Sequence, residues 1–267
     1  TLLGAFMAHI PAVLLNHRLS EAQKLERLAG LPDAIPPEVA VVIFTSGTTG
    51  VSKAVPLTQA NLIGSARAAC SLMCTPRTGI WQLALPLYHV SGLQVLVRAI
   101  VNDSSFILYE RCEAAELLAD VAGRKATHVS VVDKVLRDML RVDAEATASY
   151  RAILLGGGPL REETVRQSIA AGLNVYAGYG MTETSSAMAA TRIAEGFEGA
   201  LELLDGYEAR VADPDENGVG LLEVRGPGVM HGYLKGAEAR GEGVGIGGRD
   251  GVFTDDGFFM TGDVAAL

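Results

Sequence analysis

The sequence predicts an α/β fold: a doubly wound parallel sheet followed by a smaller, mostly antiparallel β-subdomain. Three observations predict it. Apolar strand-like runs alternate with helical periodicity between residues 39 and 177. Polar or glycine-rich loops at 45–53, 86–92, 156–159 and 178–186 all leave the carboxyl ends of those runs, which is where such sheets hold ligands. From about residue 197 short strands replace the helices, flanking the turn Asp213-Pro214-Asp215-Glu216-Asn217-Gly218. The expected division is a core at 1–196 and a β-rich subdomain at 197–267.

Taken in order, Gly4 to Ala8 reads as the end of a buried helix and Pro11 to Asn16 as a strand. The first fifteen residues are apolar but lack a basic start and are broken by His9 and Pro11, which argues against a signal peptide or membrane span. Ser20 with Gln23 forms a capping box for a helix over 20–29. Pro32, Pro36 and Pro37 end it and lead to a strand at 39–44. After the next loop Thr58 caps a helix that runs past Cys70. Strands follow at 81–85, 105–109, 127–132, 151–155 and 174–177, and helices at 92–101, 113–122, 134–141 and 161–171.

Composition narrows the function. The chain has 267 residues, 49% of them hydrophobic, with a mean hydropathy of +0.26, enough for a real core. Its 31 glycines exceed the usual share of about 7% and cluster in loops, as a site built of backbone would need. A net charge of −9 argues against nucleic acid but not against a nucleotide, since local donors bind phosphate. Cys70, Cys74 and Cys112 make no disulfide framework; with no secretion signal they fit a reduced cytosol and read as small buried hydrophobes. Nothing points to a membrane partner, and a homodimer stays open.

The loop after the strand Val41 to Phe44 carries the strongest chemical signal. Thr45, Ser46, Thr48 and Thr49 supply hydroxyls, Gly47 and Gly50 allow close backbone approach, and Lys53 adds a positive charge. These are three kinds of phosphate donor. The alternative is an ordinary Ser/Thr/Gly surface turn. The spacing of Gly50 and Lys53 does not make a P-loop.

Four further groups stand out. In Gly178-Tyr179-Gly180-Met181-Thr182-Glu183-Thr184, Thr182 offers a hydroxyl to a phosphate and Glu183 a hard oxygen for Mg²⁺ beside ATP. Gly156-Gly157-Gly158-Pro159 and Thr261-Gly262-Asp263 are weak alone. His89, in Pro86-Leu87-Tyr88-His89-Val90-Ser91-Gly92-Leu93, sits where it could close over an acyl group, although a satisfied surface histidine is the default for a lone one. Gly243 to Gly248 fits a dinucleotide pattern but follows no clear strand and opens no helix. The chain lacks the Gly-x-Ser-x-Gly elbow of a serine hydrolase.

Thr45 to Lys53 resembles the signature of the adenylate-forming acyl-CoA synthetase and luciferase superfamily, with Ser52 where proline is usual and Ala54 where glycine is usual. The run at 179–183 resembles the superfamily's Tyr-Gly-x-Thr-Glu element. The resemblance implies an ATP-dependent carboxylate–CoA ligase: Mg·ATP and a carboxylic acid give an acyl-adenylate, and coenzyme A then gives the thioester. It implies that Lys53, Thr182, Glu183 and His89 serve catalysis, with Glu183 holding magnesium. Tyr179 would stack on adenine, Gly156 to Gly158 would meet the adenine edge, Gly180 and Met181 would flank the nucleotide, and Asp263 would hold the ribose. His89, Gly92, Val132, Gly157, Ser185 and Ser186 would line or flank the acyl pocket, and their small, polar character suits a compact acid better than a long fatty chain. Segments at 14–20, 86–98, 126–132, 154–159 and 180–184 are similar to the branch that ligates o-succinylbenzoate in menaquinone biosynthesis. Another aryl- or acyl-CoA ligase, or a non-catalytic ATP-binding module, stays open. The resemblance also implies that the chain is the large domain, ending before a hinge and a lid that carries a second lysine, and that it makes thioester slowly by itself.

Overall fold

The computed structural model describes residues 1–46, 52–234 and 251–266, with the Ser46 side chain left aside. Gly47, Thr48, Thr49 and Gly50 of the expected phosphate loop, and the Gly243–Gly248 run, lie outside these residues. The chain forms two compact units interleaved along the sequence, whereas the expected division at 196/197 is a single cut.

The first unit comprises Thr1–Leu62, Thr182–Ser185 and Gly206–Leu267. Its first sheet has the order β1-β2-β3, with β1 (Ala12–Leu14) parallel to β2 (Val39–Ser46) and β3 (Ser52–Thr58) antiparallel to it. Val39, Val41, Val42 and Ile43 are at most 1% exposed, which explains an apolar run without alternation. β3 is a correction, because the reading above takes the loop straight to a helix. Pro56 disguised it: proline is tolerated here because β3 is an edge strand. β2 and β3 thus pair antiparallel as far as Ser46 and Ser52, and β2 lies outside the large parallel sheet.

α2 (Glu21–Ala29) carries the expected capping box, Gln23 N–H to Ser20 Oγ at 3.2 Å and Ser20 N–H to Gln23 Oε1 at 3.0 Å. Thr58 caps α3 (Gln59–Leu72), its Oγ1 accepting from Asn61 N–H at 3.1 Å. Asn61 in turn donates to the Pro227 and Val229 carbonyls. α1 (Leu2–Met7) buries none of its residues, contrary to expectation. The second sheet is antiparallel, β10 (Glu208–Ala212), β11 (Val219–Arg225) and β12 (Phe259–Ala266). Its 213–218 turn forms as expected: Asp215 Oδ1 accepts from the Asn217 and Val219 N–H groups, and Gly218 takes φ +76°.

The second unit comprises Ile63–Met181 and Ser186–Asp205. Its six-stranded sheet runs β5 (Ser105–Leu108), β4 (Ile80–Leu83), β6 (His128–Val131), β7 (Ala152–Leu155), β8 (Val175–Met181), β9 (Ser186–Arg192). The first five strands are parallel and β9 is antiparallel. The parallel α/β sheet and separate antiparallel sheet agree with the fold class expected. β8 and β9 correct the expected loop at 178–186: Gly178 to Met181 continue the strand and Ser186 starts its antiparallel partner, leaving a short turn between them.

Side chains of β6 alternate between two faces. Val129 and Val131 enter a core with Leu117 and Leu118 of α5 (Ala114–Gly123), Leu136 and Met139 of α6 (Asp133–Val142), and Ile153, Leu155, Val175 and Ala177. Ser130 instead meets Arg98 of α4 (Val90–Val101). Burying each such leucine is worth about 1.5–3 kcal/mol. A short helix, α7 (Ala144–Ala148), was not expected; Asp143 caps it. α8 is Glu162–Ala170. Cys70 is buried as expected, but Cys74 is exposed, because it follows the end of α3 at φ +47°.

Candidate functional site

In the second unit the strand order is that of flavodoxin-like sheets, and it reverses between β4 and β6. The segment after β4 carries His89 and the residue after β6 is Val132, so both lie at the switch point where such sheets hold ligands. His89 is the N-cap of α4 and packs its ring against Tyr88, with centroids 4.6 Å apart. It sits at the surface, yet partial desolvation of the ring holds its pKa below the ordinary histidine range. Gly92 has a packing part as well. A Cβ there would come 2.3 Å from the Pro86 carbonyl oxygen, so Gly92 lets the first turn of α4 lie on the 85–86 backbone.

The glycine run follows β7. Gly157 takes φ +79°, and a Cβ on it would meet Val132 Cγ1 at 3.6 Å, so those two residues are neighbours. Gly156, Gly158, Tyr179 and Asp133 line one cavity of about 200 Å³. Asp133 is fixed there. Burial alone would raise its pKa, but hydrogen bonds from Thr164 and Arg137 and the charges of Arg137 and Arg161 outweigh it and hold the carboxyl below its usual range. Gly180 lies where β8 and β9 approach most closely: a Cβ would fall 2.0 Å from the Ser186 carbonyl oxygen.

Sequence reasoning missed Arg98. It is fully buried on α4, with Nη1 donating to Ser130 Oγ at 3.2 Å and Nη2 to Ser186 Oγ at 3.4 Å. Its guanidinium lies 5.6 Å from the Trp81 ring centroid. The signal was available: the one cation in the mostly apolar run Val90–Val101 must be satisfied inside the protein or by a ligand. Ser186, which shares Arg98, takes φ +95°, a conformation that costs energy outside glycine.

The first unit holds the remaining groups. Thr182–Thr184 form a single 3-10 turn. Glu183 is 8% exposed; its backbone carbonyl accepts from Met230 N–H at 2.8 Å, and its Oε1 accepts from the Tyr233 hydroxyl at 2.8 Å. Burial first, and then the Glu183 carboxylate, push the Tyr233 phenol well above the ordinary tyrosine range. The Lys53 ammonium lies over the other side of this arrangement, 4.9 Å from the Tyr233 ring centroid. Lys53, Ser52, Tyr233, Arg27 and Gln23 line a cavity of about 620 Å³. Thr45 pairs with Lys53 in the hairpin register. Ser185 is buried and donates to the Gly228 carbonyl at 2.7 Å, so its hydroxyl braces the turn.

Asp263 sits on a bulge of β12, where Thr261 to Asp263 oppose Leu222. Thr261 Oγ1 donates to the Leu222 carbonyl and accepts from Asp263 N–H, Gly262 takes φ +81°, and Asp263 is exposed. Bulges of this kind re-aim a side chain.

The donor set suits magnesium. Beside nucleotide phosphates that ion takes one or two carboxylates and draws its other ligands from phosphate and water oxygens. Among the described residues no three His, Cys, Asp or Glu side chains converge, so Glu183 would share a metal with at most one more such side chain among them. Its Oε2 makes no hydrogen bond among the described residues.

A flavodoxin-like sheet with a glycine loop at a strand's carboxyl end, and a buried carboxylate after a Gly-x-Gly strand end, fits a nucleotide-handling class of protein. Residues 3–234 match the AMP-binding enzyme family, and the chain belongs to it. It is 32% identical over 232 residues to a 2-succinylbenzoate–CoA ligase of Staphylococcus epidermidis, covering 86% of this chain and 47% of that protein. An o-succinylbenzoate coenzyme A synthetase from Bacillus subtilis, in complex with ATP and magnesium ion, aligns with a TM-score of 0.86 and 25% identity, over 100% of this chain and 64% of that one. The same enzyme in complex with the acyl-adenylate intermediate OSB-AMP aligns at 0.84 and 26%, over 100% and 79%. The chain spans about half the length of the curated relatives it matches.

Proposed function

We propose that this chain is the large domain of an ATP-dependent carboxylate–CoA ligase acting on o-succinylbenzoate. The observation that carries the reading is Glu183: a buried carboxylate held by one oxygen, with the other left for a metal, immediately after the strand that bears Tyr179. The likeness to 2-succinylbenzoate–CoA ligases supports the choice of acid.

In this reading an oxygen of the acid attacks the α-phosphorus of ATP. The new O–P bond forms as the bond to the bridging oxygen breaks, and pyrophosphate leaves. Coenzyme A sulfur then attacks the acyl carbon, and AMP leaves with the electron pair of the broken C–O bond. Magnesium, when bound, would screen phosphate charge, and Glu183 would hold it. Lys53, Thr45, Ser46, Thr48, Thr49 and Thr182 meet phosphate oxygens, with Gly47 and Gly50 giving access to backbone donors. Asp263 takes the ribose hydroxyls, a role suited to a carboxylate. Gly156, Gly158 and Tyr179 hold the purine. His89, Val132 and Gly157 border the acyl group. Arg98, through Ser130 and Ser186, supplies positive potential for an acid with a second carboxylate. Such a site works by positioning and electrostatics, since the charge grows on phosphate oxygens.

The test is a screen of acids for ATP-dependent pyrophosphate release, with nucleotide binding measured in parallel by calorimetry. o-Succinylbenzoate should outperform benzoate and palmitate. A preference for palmitate overturns the choice of acid, and ATP binding without release under any acid makes the chain a binding module. No ATP binding overturns the whole reading.

A further inference from the structure

Tyr233 belongs to none of the motifs that sequence reading singled out, yet two backbone bonds place it with care. Leu234 N–H donates to the Ala54 carbonyl at 3.0 Å, an antiparallel bridge that sets the segment beside β3. Met230 N–H donates to the Glu183 carbonyl at 2.8 Å and ties the same segment to the 3-10 turn. Tyr233 stands between these anchors. Its hydroxyl reaches Glu183 and its ring lies beneath Lys53. Among the described residues Glu183 and Lys53 form no ion pair, although each makes its contact with the same tyrosine.

Opposite charges that contact one side chain attract each other, here between an exposed ammonium and a buried carboxylate. If they closed on each other, the carboxylate would be lost to a metal and the ammonium to a phosphate. A phenol that donates to one and offers its ring to the other satisfies both without neutralising either.

We propose that Tyr233 is a positioning residue: it keeps the Glu183 carboxylate turned for a divalent cation and the Lys53 ammonium apart from it, so that both are ready when a nucleotide triphosphate arrives. The inference rests on the functional reading above and deepens it. Two substitutions separate the two contacts. Tyr233→Phe keeps the ring under Lys53 and removes the hydroxyl, so Glu183 loses its anchor. Tyr233→Leu removes both.

The experiment measures Mn²⁺ binding by electron paramagnetic resonance in the presence of a non-hydrolysable ATP analogue, and binding of the same analogue without metal by calorimetry. It uses the 267-residue chain and both variants, with thermal melts recorded throughout. Tyr233→Phe should weaken Mn²⁺ roughly tenfold, the scale of one hydrogen bond to a charged group, and leave metal-free analogue binding unchanged. Tyr233→Leu should weaken both, as Lys53 collapses onto Glu183. A merely structural tyrosine would move both affinities together in Tyr233→Phe, or neither. If Tyr233→Phe folds and binds Mn²⁺ as tightly as the wild type, the proposal is overturned while the functional reading stands. If the wild type binds neither analogue nor metal, the functional reading falls and takes this proposal with it. Should Tyr233→Phe not fold, Tyr233→Trp carries the test: it keeps an aromatic face for Lys53, places no donor where the phenol oxygen was, and should show the same selective loss of metal.

Discussion

Single side chains decide what each loop can hold. Asp263 is exposed on a bulge that Thr261 braces and Gly262 makes possible. A charge-assisted bond from such a carboxylate is worth about 1.5–3 kcal/mol, so Asp263→Ala should weaken ATP roughly tenfold or more by calorimetry. Unchanged affinity would refute the ribose role. At this scale the sequence was legible where residue type alone dictates chemistry. Lys53, Glu183 and Asp263 could be named because few residues offer an ammonium or carboxylate in such loops. Ser185 shows the limit. It was expected to line or flank the acyl pocket, and no local pattern reveals that its hydroxyl bonds the Gly228 carbonyl, a partner 43 residues away. Tyr233 was invisible for the same reason: its meaning lies in Glu183, 50 residues off.

At the scale of elements, local rules read well where they are local. The Ser20–Gln23 box and the Thr58 cap depend on residues three apart, and both formed. β3 failed because Pro56 hides an edge strand, and β9 because Ser186 to Arg192 carries no strict alternation. Helix α4 makes a test of packing against function. Gly92 lets its first turn touch the 85–86 backbone, so Gly92→Ala overpacks that contact. The expected loss is about 1–3 kcal/mol, read from urea midpoints. Full stability would show that the contact yields. In the core, Leu136 is fully buried, and Leu136→Ala should cost about 2–5 kcal/mol by the same measurement.

At the scale of the whole molecule, acid should act through His128. It is fully buried, its ring 4.9 Å from that of Trp81, and its Nδ1 pairs with the Thr127 hydroxyl at 2.7 Å. Burial, and then the charge of Arg151, lower its pKa to about 4. The unfolded chain takes up that proton near pH 6.5, while the folded chain resists until about pH 4. Between these values the unfolded state binds more protons, so stability is complete above about pH 6.5 and falls as the pH drops toward 4. The full effect is about 3 kcal/mol, from a shift of that size. Chemical denaturation at pH 7.5 and 4.5 should show the loss, and His128→Gln should remove most of the difference. An equal loss in the variant would assign the acid sensitivity elsewhere.

The interleaving of the two units has a consequence for how the protein is made. The first unit takes its residues from three stretches, and its Asn61 bonds the Val229 carbonyl 168 positions later. The second unit is nearly continuous, and its parallel strands are joined by short crossovers. Closing a long loop costs entropy before any contact rewards it, so distant pairings form late. On the ribosome, β2 and the chain around Glu183 emerge well before Tyr233 does. A nascent chain therefore carries that carboxylate for a time without its phenol. Metal-assisted nucleotide binding should appear late in synthesis, after Tyr233 and then Asp263 have cleared the exit tunnel, rather than growing with length.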